Sequence, residues 1–185
     1  ITSSLVTEGS FPIDVDRDGD IDIVAAHRQD SDFEGSIGGI TLYENNGSES
    51  FTAHNILSGT AQYGIHADDL DQDGDMDLII TNSPSWYENT TSTAFTPTYT
   101  ANTISTSAEG ASYVFAADMD KDGDIDVLSA SWNGDNISWY QNDGNLNFTS
   151  NTISTDVNQP SSIFATDLDG DGDMDVLSSA HSGDE

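Results

Sequence analysis

The sequence contains no cysteine and only three basic residues, Arg17, Arg28 and Lys121. The missing cysteines exclude disulfides, so cysteine usage does not indicate the compartment in which the protein works. So few cations exclude a basic surface for the phosphates of nucleic acid, and an anionic membrane surface would repel the chain. No apolar run approaches the ~20 residues of a transmembrane helix. We therefore expect neither nucleic-acid binding nor membrane insertion.

Acidic residues, by contrast, are abundant and unevenly distributed. The 185 residues include 34 acidic side chains, and the formal net charge is −31. More than half of these acids fall in four short windows with the pattern D-x-D-x-D-G-D-x-D, which begin at Asp14, Asp69, Asp118 and Asp167. A repeat with a period of about 50 residues is typical of propellers and solenoids.

The spacing inside each window predicts a calcium-binding loop. In the third window, Asp118, Asp120, Asp122 and Asp126 stand at positions one, three, five and nine, and Asp124 at position seven can offer its backbone carbonyl. Calcium takes six to eight oxygen ligands, whereas magnesium prefers to keep its waters. The glycine at position six permits the sharp turn that folds the chain around an ion. These loop glycines are Gly19, Gly74, Gly123 and Gly172.

An EF-hand fits only the first six positions of each window. Its twelfth position needs a bidentate glutamate, but the residues there are Ala25, Ile80, Ser129 and Ser178. The windows run into short aliphatic segments such as "DIDVLSAS", which are typical of β-strands. We therefore expect loops between strands and not between helices.

The segments between the windows predict four short antiparallel strands per repeat, as in a propeller blade. We place the blades at residues 1–55, 56–103, 104–152 and 153–185, about 3.5 repeats in one all-β domain. In each blade the calcium loop joins the first two strands. The recurring Tyr43, Tyr87 and Tyr140 are expected in the core between blades, whereas Trp132 has no counterpart and is the better candidate for an exposed contact.

These motifs resemble the FG-GAP and VCBS repeat family, whose blades form the calcium-loop propellers of integrin α-subunits and many bacterial surface proteins. The resemblance covers nearly the whole chain and includes the four acidic loops and the "WYxN…G…F" segments. It implies an extracellular or cell-surface protein with about four calcium ions per chain. It also implies the complete ligand set: Asp14, Asp16, Asp18, Asp20, Asp22, Asp69, Asp71, Asp73, Asp75, Asp77, Asp118, Asp120, Asp122, Asp124, Asp126, Asp167, Asp169, Asp171, Asp173 and Asp175.

The fourth blade stops after its second strand, near "SSAHSGDE". We expect either a segment of a longer chain or neighbouring copies that complete the sheets, because open sheet edges are normally protected. Strand addition between copies would build a ring or a filament.

The sequence favours a non-catalytic calcium-binding module with an adhesive or structural role, whose partner is a protein or carbohydrate at a cell surface. The paired carboxylates that acid–base chemistry could use are committed to ions, so no catalytic residue is assigned. The alternative is a carbohydrate-binding or accessory domain of a secreted polysaccharide-active enzyme. A lectin that uses Trp132 is a third hypothesis.

Four N-x-S/T sequons are also present. In a glycosylating organism they would be candidate glycosylation sites. They begin at Asn46, Asn89, Asn136 and Asn147.

Overall fold

The protein is described by a computed structural model covering residues 6–28, 38–48, 50–59, 63–81, 83–90, 98–106, 108 and 110–181. Every regular element within these residues is a β-strand. In this described part, nothing qualifies as a helix able to cross a membrane. The all-β prediction is confirmed.

The strands form three four-stranded antiparallel sheets and one two-stranded sheet, each in sequential order. The first sheet consists of β1 (Val6–Ile13), β2 (Asp22–Arg28), β3 (Gly39–Asn45) and β4 (Phe51–Ser58). The second consists of β5 (Ile65–Asp68), β6 (Asp77–Ile80), β7 (Ser85–Asn89) and β8 (Tyr99–Thr103). The third consists of β9 (Ala111–Ala117), β10 (Asp126–Ser131), β11 (Asn136–Asn142) and β12 (Phe148–Ser154), and the fourth of β13 (Pro160–Thr166) and β14 (Asp175–Ala180).

The second strand of the second sheet, β6, is an apolar run because both of its faces are covered. Leu78 and Ile80 pack towards the first sheet, whereas Ile79 packs towards the third. Side chains alternate between the two faces of a strand, so a strand between two neighbouring sheets needs apolar residues at every position.

Three hydrophobic clusters join the sheets in chain order. The first cluster lies between sheets one and two, the second between sheets two and three, and the third between sheets three and four. Among the described residues, no such cluster joins the fourth sheet to the first, so the sheets do not close into a ring. The repeated antiparallel blade is therefore observed, and closure into a propeller is not.

A row of aromatic rings runs across the first strands of all four sheets. Phe11, His66, Phe115 and Phe164 each stand three residues before an acidic loop, and successive ring centroids are 4.8, 4.7 and 4.8 Å apart. His66 therefore replaces a phenylalanine of the other repeats. A comparison of the histidines alone does not reveal this equivalence, because the histidines do not stand at equivalent positions of the repeats.

Two strands extend past the expected blade boundaries, since β4 reaches Ser58 and β12 reaches Ser154. The blade boundaries given above stay a prediction. Tyr43 and Tyr87 are half-buried and Tyr140 is buried.

Candidate metal centres

The four acidic loops lie at equivalent places, each between the first and second strands of its sheet. Loop 1 comprises residues 14–22, loop 2 residues 69–77, loop 3 residues 118–126 and loop 4 residues 167–175, and positions one to nine are counted along each loop. Position one directly follows the first strand, and position nine is the first residue of the second strand. All four loops therefore lie at the same end of the stacked sheets.

Backbone N–H groups within each loop shape its carboxylates. In loop 3, Gly123 N donates to Asp118 Oδ2 (3.1 Å), Asp122 N to Asp120 Oδ1 (3.3 Å) and Asp124 N to Asp122 Oδ1 (3.0 Å). The same three bonds occur in loops 1 and 4. In loops 1 and 3, each of these carboxylates thus uses one oxygen to hold the turn, which leaves its other oxygen for a different partner. In loop 4, Asp167 Oδ1 also accepts from Gly170 N (2.7 Å).

The glycine at position six takes a conformation that other residues adopt at a cost. Its φ is +94° to +96° in all four loops. An added Cβ at Gly123 would meet no atom within 4 Å, so the restriction there is one of backbone conformation and not of space.

The aspartate at position nine ties its loop to the third strand. Asp126 Oδ2 accepts from Met119 N (3.1 Å), and Asp126 Oδ1 accepts from Asn142 N (2.8 Å). Asn142 in turn donates from Nδ2 to Ile125 O (3.2 Å). Loops 1 and 2 repeat this arrangement through Asp22 with Asn45 and Asp77 with Asn89.

The remaining carboxylate oxygens come close enough together to hold a cation. In each loop, three aspartates offer oxygens that all lie within 4.8 Å of one another. In three loops, the Oδ1 atom at position one is buried and accepts no hydrogen bond; these atoms belong to Asp14, Asp69 and Asp118. A buried carboxylate oxygen without a partner is costly, and a hard cation bound by oxygen ligands would satisfy it. The residues present therefore fit calcium.

Electrostatics at the loops also favour a positive ion. The pKa of Asp77 is raised to about 7, mainly by burial; the charges of Asp71 and Asp73 contribute to the rise, and the backbone hydrogen bonds to Asp77 oppose it. Burial likewise raises the pKa of Asp22 and Asp126. These directions show that negative charge at position nine is poorly compensated by the protein's own groups.

The structure brings together some of the predicted ligands and separates others. Positions one, three and five cluster in loops 1 and 3, whereas positions one, three and nine cluster in loops 2 and 4. The position-seven side chains belong to none of these clusters, in keeping with metal coordination through their backbone carbonyls. The clustered residues are Asp14, Asp16, Asp18, Asp69, Asp71, Asp77, Asp118, Asp120, Asp122, Asp167, Asp169 and Asp175.

Two groups of site residues were missed in the sequence. One is the asparagine that ends the third strand, whose signal is its recurrence in "LYEN", "WYEN" and "WYQN". The other is position four of each loop, which holds two of the three basic residues of the chain, Arg17 and Lys121.

The structure describes the surroundings of all four sequon asparagines. Asn89 is 2% exposed, and its Nδ2 donates to Met76 O (3.3 Å). Asn46 and Asn147 are exposed, and Asn136 is half-buried. Glycosylation at these four residues stays a prediction.

Stacked antiparallel sheets, each with an acidic loop between its first two strands, define a β-repeat protein of the blade type. A family model described as FG-GAP-like repeat matches residues 14–80, 69–129 and 118–178. Each match begins at one acidic loop, includes the following acidic loop and ends in the second strand of that next sheet. Together the matches span most of the chain. The protein belongs to the FG-GAP-like repeat family. Repeats of this family are typical of extracellular proteins. Among curated proteins the comparison finds no match.

Proposed function

We propose that this chain is a non-catalytic, calcium-binding extracellular module with an adhesive or structural role. One observation carries the proposal: the unpartnered, buried position-one oxygens of Asp14, Asp69 and Asp118, each within a cluster of three carboxylates. Calcium in each loop would join the two strands that the loop connects. The ion would thereby stiffen the sheet on which a contact surface is built.

The choice of calcium rests on the donor set. Every side-chain donor in the four clusters is a carboxylate oxygen, which disfavours zinc and copper because these metals prefer nitrogen or sulfur ligands. Magnesium requires a smaller octahedral shell and usually keeps several waters. A loop with carboxylates and a carbonyl on alternate residues suits the larger calcium shell.

The contacts of the acidic side chains support a non-catalytic role. General acid–base chemistry needs a carboxyl group within reach of a substrate proton. The loop carboxylates instead hold their own backbone, face one another within the clusters, or contact the preceding loop. For surface partners we propose proteins or carbohydrates, together with other copies of the chain.

Self-association is supported by the outer face of the fourth sheet. Phe164 is 51% exposed, Leu168 66% and Leu177 40%. Their counterparts in the third sheet, Phe115 and Leu128 among them, pack against the next sheet. A sheet from another copy would bury the same kind of surface, and the module would then be a subunit of a surface assembly or filament.

A carbohydrate-binding role is the second candidate, and one cavity favours it. The cavity has a volume of about 390 Å³ and is lined by Tyr63, Gly110, Ala111, Ser112, Trp132 and Asn133. These residues precede or begin first strands, or follow a second strand, so the cavity lies at the end opposite the acidic loops. Aromatic faces beside amide and hydroxyl groups suit a sugar ring, which has both apolar and polar surfaces.

Metal analysis and calorimetry test the leading proposal. We expect four calcium ions per chain in the native protein and three after Asp118→Asn, which removes the charge at position one of loop 3. Asp156→Asn is the matched control, because it removes the same charge from an exposed turn outside the loops. Fewer than three calcium ions in the native chain would contradict the proposal. An equal loss of bound calcium in Asp156→Asn and Asp118→Asn would also contradict it.

Titration with soluble oligosaccharides, followed by tryptophan fluorescence, tests the second candidate. Trp132→Ala should abolish any response, whereas Phe51→Ala, which removes an aromatic ring that is 49% exposed elsewhere, should leave it unchanged. The absence of a response to neutral and acidic oligosaccharides would exclude this role for the cavity.

A further inference from the structure

The side chain at position four of each of the first three loops reaches the following loop. Arg17 Nη2 lies 3.3 Å from Asp75 Oδ1, and Lys121 Nζ lies 2.7 Å from Asp173 Oδ1. Gln72 Nε2 donates to Gly123 O at 2.6 Å. We call Arg17, Gln72 and Lys121 the bridge residues. They connect loop 1 to loop 2, loop 2 to loop 3 and loop 3 to loop 4.

The targets of the bridge residues are equivalent in the three junctions. Asp75 and Asp173 stand at position seven of their loops, and Gln72 Nε2 also lies 3.4 Å from Asp124 Oδ1, at the same position. Position seven is the one aspartate whose side chain is outside every carboxylate cluster. Its side chain is therefore available to a neighbouring loop.

The backbone at position four is held in a conformation that is costly for these residues. Arg17, Gln72 and Lys121 have φ values of +60°, +60° and +63°. Residues with a Cβ adopt this left-handed region uncommonly. The turn thus fixes the direction of each bridge side chain. In loop 4 the corresponding residue is Gly170, which has no side chain to extend.

The distribution of charge also points to a specific role. The chain has only three basic residues against 34 acidic ones, yet two of the three lie at position four. Arg28, the third, pairs with Glu8 at 2.6 Å, on strands of the first sheet and away from the loops.

We propose that the bridge residues couple neighbouring cation sites, so that an ion in one loop raises the affinity of the next loop. The inference rests on the proposed calcium binding. Ordering one loop around its ion would fix position four, and the bridge would hold positions six and seven of the following loop. The second loop would then lose less conformational freedom when it binds its own ion. Coupling of this kind is reciprocal between the two sites.

Simple charge repulsion predicts the opposite sign. If Lys121 acted only through its positive charge, it would oppose a calcium ion in loop 4, and its removal would raise the affinity of that loop. Coupling through the bridge instead predicts that its removal makes loop 4 insensitive to the state of loop 3. The two mechanisms can therefore be separated by experiment.

A double-mutant cycle measures the coupling. Asp118→Asn disables loop 3, and Lys121→Met removes the bridge while keeping a residue with a Cβ at position four. Calcium affinity of loop 4 is followed by NMR through the amide of Gly172, and that of loop 3 through the amide of Gly123. With Lys121 in place, we expect Asp118→Asn to lower the calcium affinity of loop 4 by at least about fivefold, which is the lower end of typical coupling between sites. In the Lys121→Met background, we expect less than a twofold effect.

Two further variants complete the cycle. Arg28→Met removes the same charge away from the loops and should preserve the fivefold effect. Lys121→Gln restores the side-chain type found at Gln72 and should restore at least part of the coupling. The Lys121 side chain is 50% exposed, so neither of its substitutions disturbs the core.

The outcomes distinguish this inference from the proposed function. The native chain could bind four ions, while Asp118→Asn changes the calcium affinity of loop 4 equally with Lys121 and with Lys121→Met. This result would overturn the coupling and leave the proposed calcium binding intact. Higher affinity of loop 4 after Lys121→Met, with unchanged coupling, would show that the lysine acts through charge alone. A native chain that binds no calcium would refute the proposed function and the inference together.

Discussion

The five aspartates of an acidic loop have three different kinds of partner. In loop 3, Asp118, Asp120 and Asp122 face one another, which is how a cation cage is built. Asp124 contacts Gln72 of the preceding loop, and Asp126 accepts two backbone hydrogen bonds. Identical residue types at alternate positions thus form a carboxylate cluster that fits a cation, a contact between loops and an attachment to the third strand.

Asp126→Asn tests the attachment role. In the variant, the side-chain NH2 group would face Met119 N or Asn142 N, the two backbone groups that now donate to Asp126. That N–H group would then lose its hydrogen-bond acceptor. We expect a loss of about 2–3 kcal/mol in the free energy of unfolding. Urea denaturation should show this loss both in calcium and in chelator, because the hydrogen bonds do not require the ion.

Asp122→Asn is the control within the same loop. It keeps an oxygen that can accept from Asp124 N but removes a charge from the carboxylate cluster. Its effect on unfolding should appear only in calcium. If Asp126→Asn were neutral in chelator, position nine would serve the metal and not the fold.

His66 is a buried, neutral member of the aromatic row. It lies between Phe11 and Phe115, and burial lowers the pKa of His66 to about 4. An unfolded chain would protonate this histidine near pH 6.5. Between those two values the unfolded state binds more protons, so the contribution of His66 to stability falls as the pH decreases.

His66→Phe should remove this part of the pH dependence, because it supplies the residue found in the other three repeats. We expect the native chain to lose about 2 kcal/mol relative to the variant between pH 7 and pH 5. Urea denaturation of both proteins at the two pH values, in saturating calcium, measures the difference. Parallel changes in the two proteins would show that His66 does not titrate in this way.

At the scale of secondary-structure elements, each acidic loop is the connection that sets the first strand against the second. Loop 3 joins β9 to β10, which pair from Ala117 with Asp126 to Ala111 with Ser131. Without an ion, the carboxylates of the loop repel one another beside the first pair of this ladder. A bound cation would let the same groups hold both strand ends.

Removal of calcium should therefore lower the melting temperature. A ligand that binds only the folded state adds about 2.7 kcal/mol per site at a hundredfold excess over its Kd. Differential scanning calorimetry in calcium and in excess chelator measures the change. Magnesium at the same concentration serves as the control and should restore little of the stability. A melting temperature that chelator does not change would contradict calcium control of the fold.

At the scale of the whole molecule, the described sheets form an open stack. The aromatic row ends at Phe164, which is half exposed, although its counterpart Phe115 is covered by the next sheet. Leu177 adds to the same outer face. We propose that this exposed apolar surface forms the contact between copies of the chain. The high negative charge opposes nonspecific aggregation and favours a defined contact.

Replacing Phe164 and Leu177 together by serine should weaken self-association of the chain. Analytical ultracentrifugation over a range of concentrations, in calcium, should show oligomers of the native chain and mainly monomers of the double variant. Phe51→Ser is the control, because Phe51 is similarly exposed but lies on β4. A native chain that stays monomeric at every concentration would contradict the proposed contact.

Much of the repeat and of each candidate metal site is encoded locally. The carboxylates of a loop lie within nine consecutive residues, so their spacing alone brings them around one point. Gly123 is equally local, because its left-handed conformation depends on the turn it belongs to. The alternation of side chains along a strand likewise depends only on neighbouring residues, which is why the all-β blade was predictable.

The tertiary structure alone decided which distant groups meet. Lys121 reaches Asp173 across 52 positions, and Asn142 holds Asp126 across 16. His66 joins an aromatic row only because successive first strands stack at one distance and in one register. These contacts depend on how neighbouring sheets pack and on how strands pair. A sequence motif specifies the chemistry of its own loop, whereas the packed core sets the distance and orientation between that loop and its neighbours.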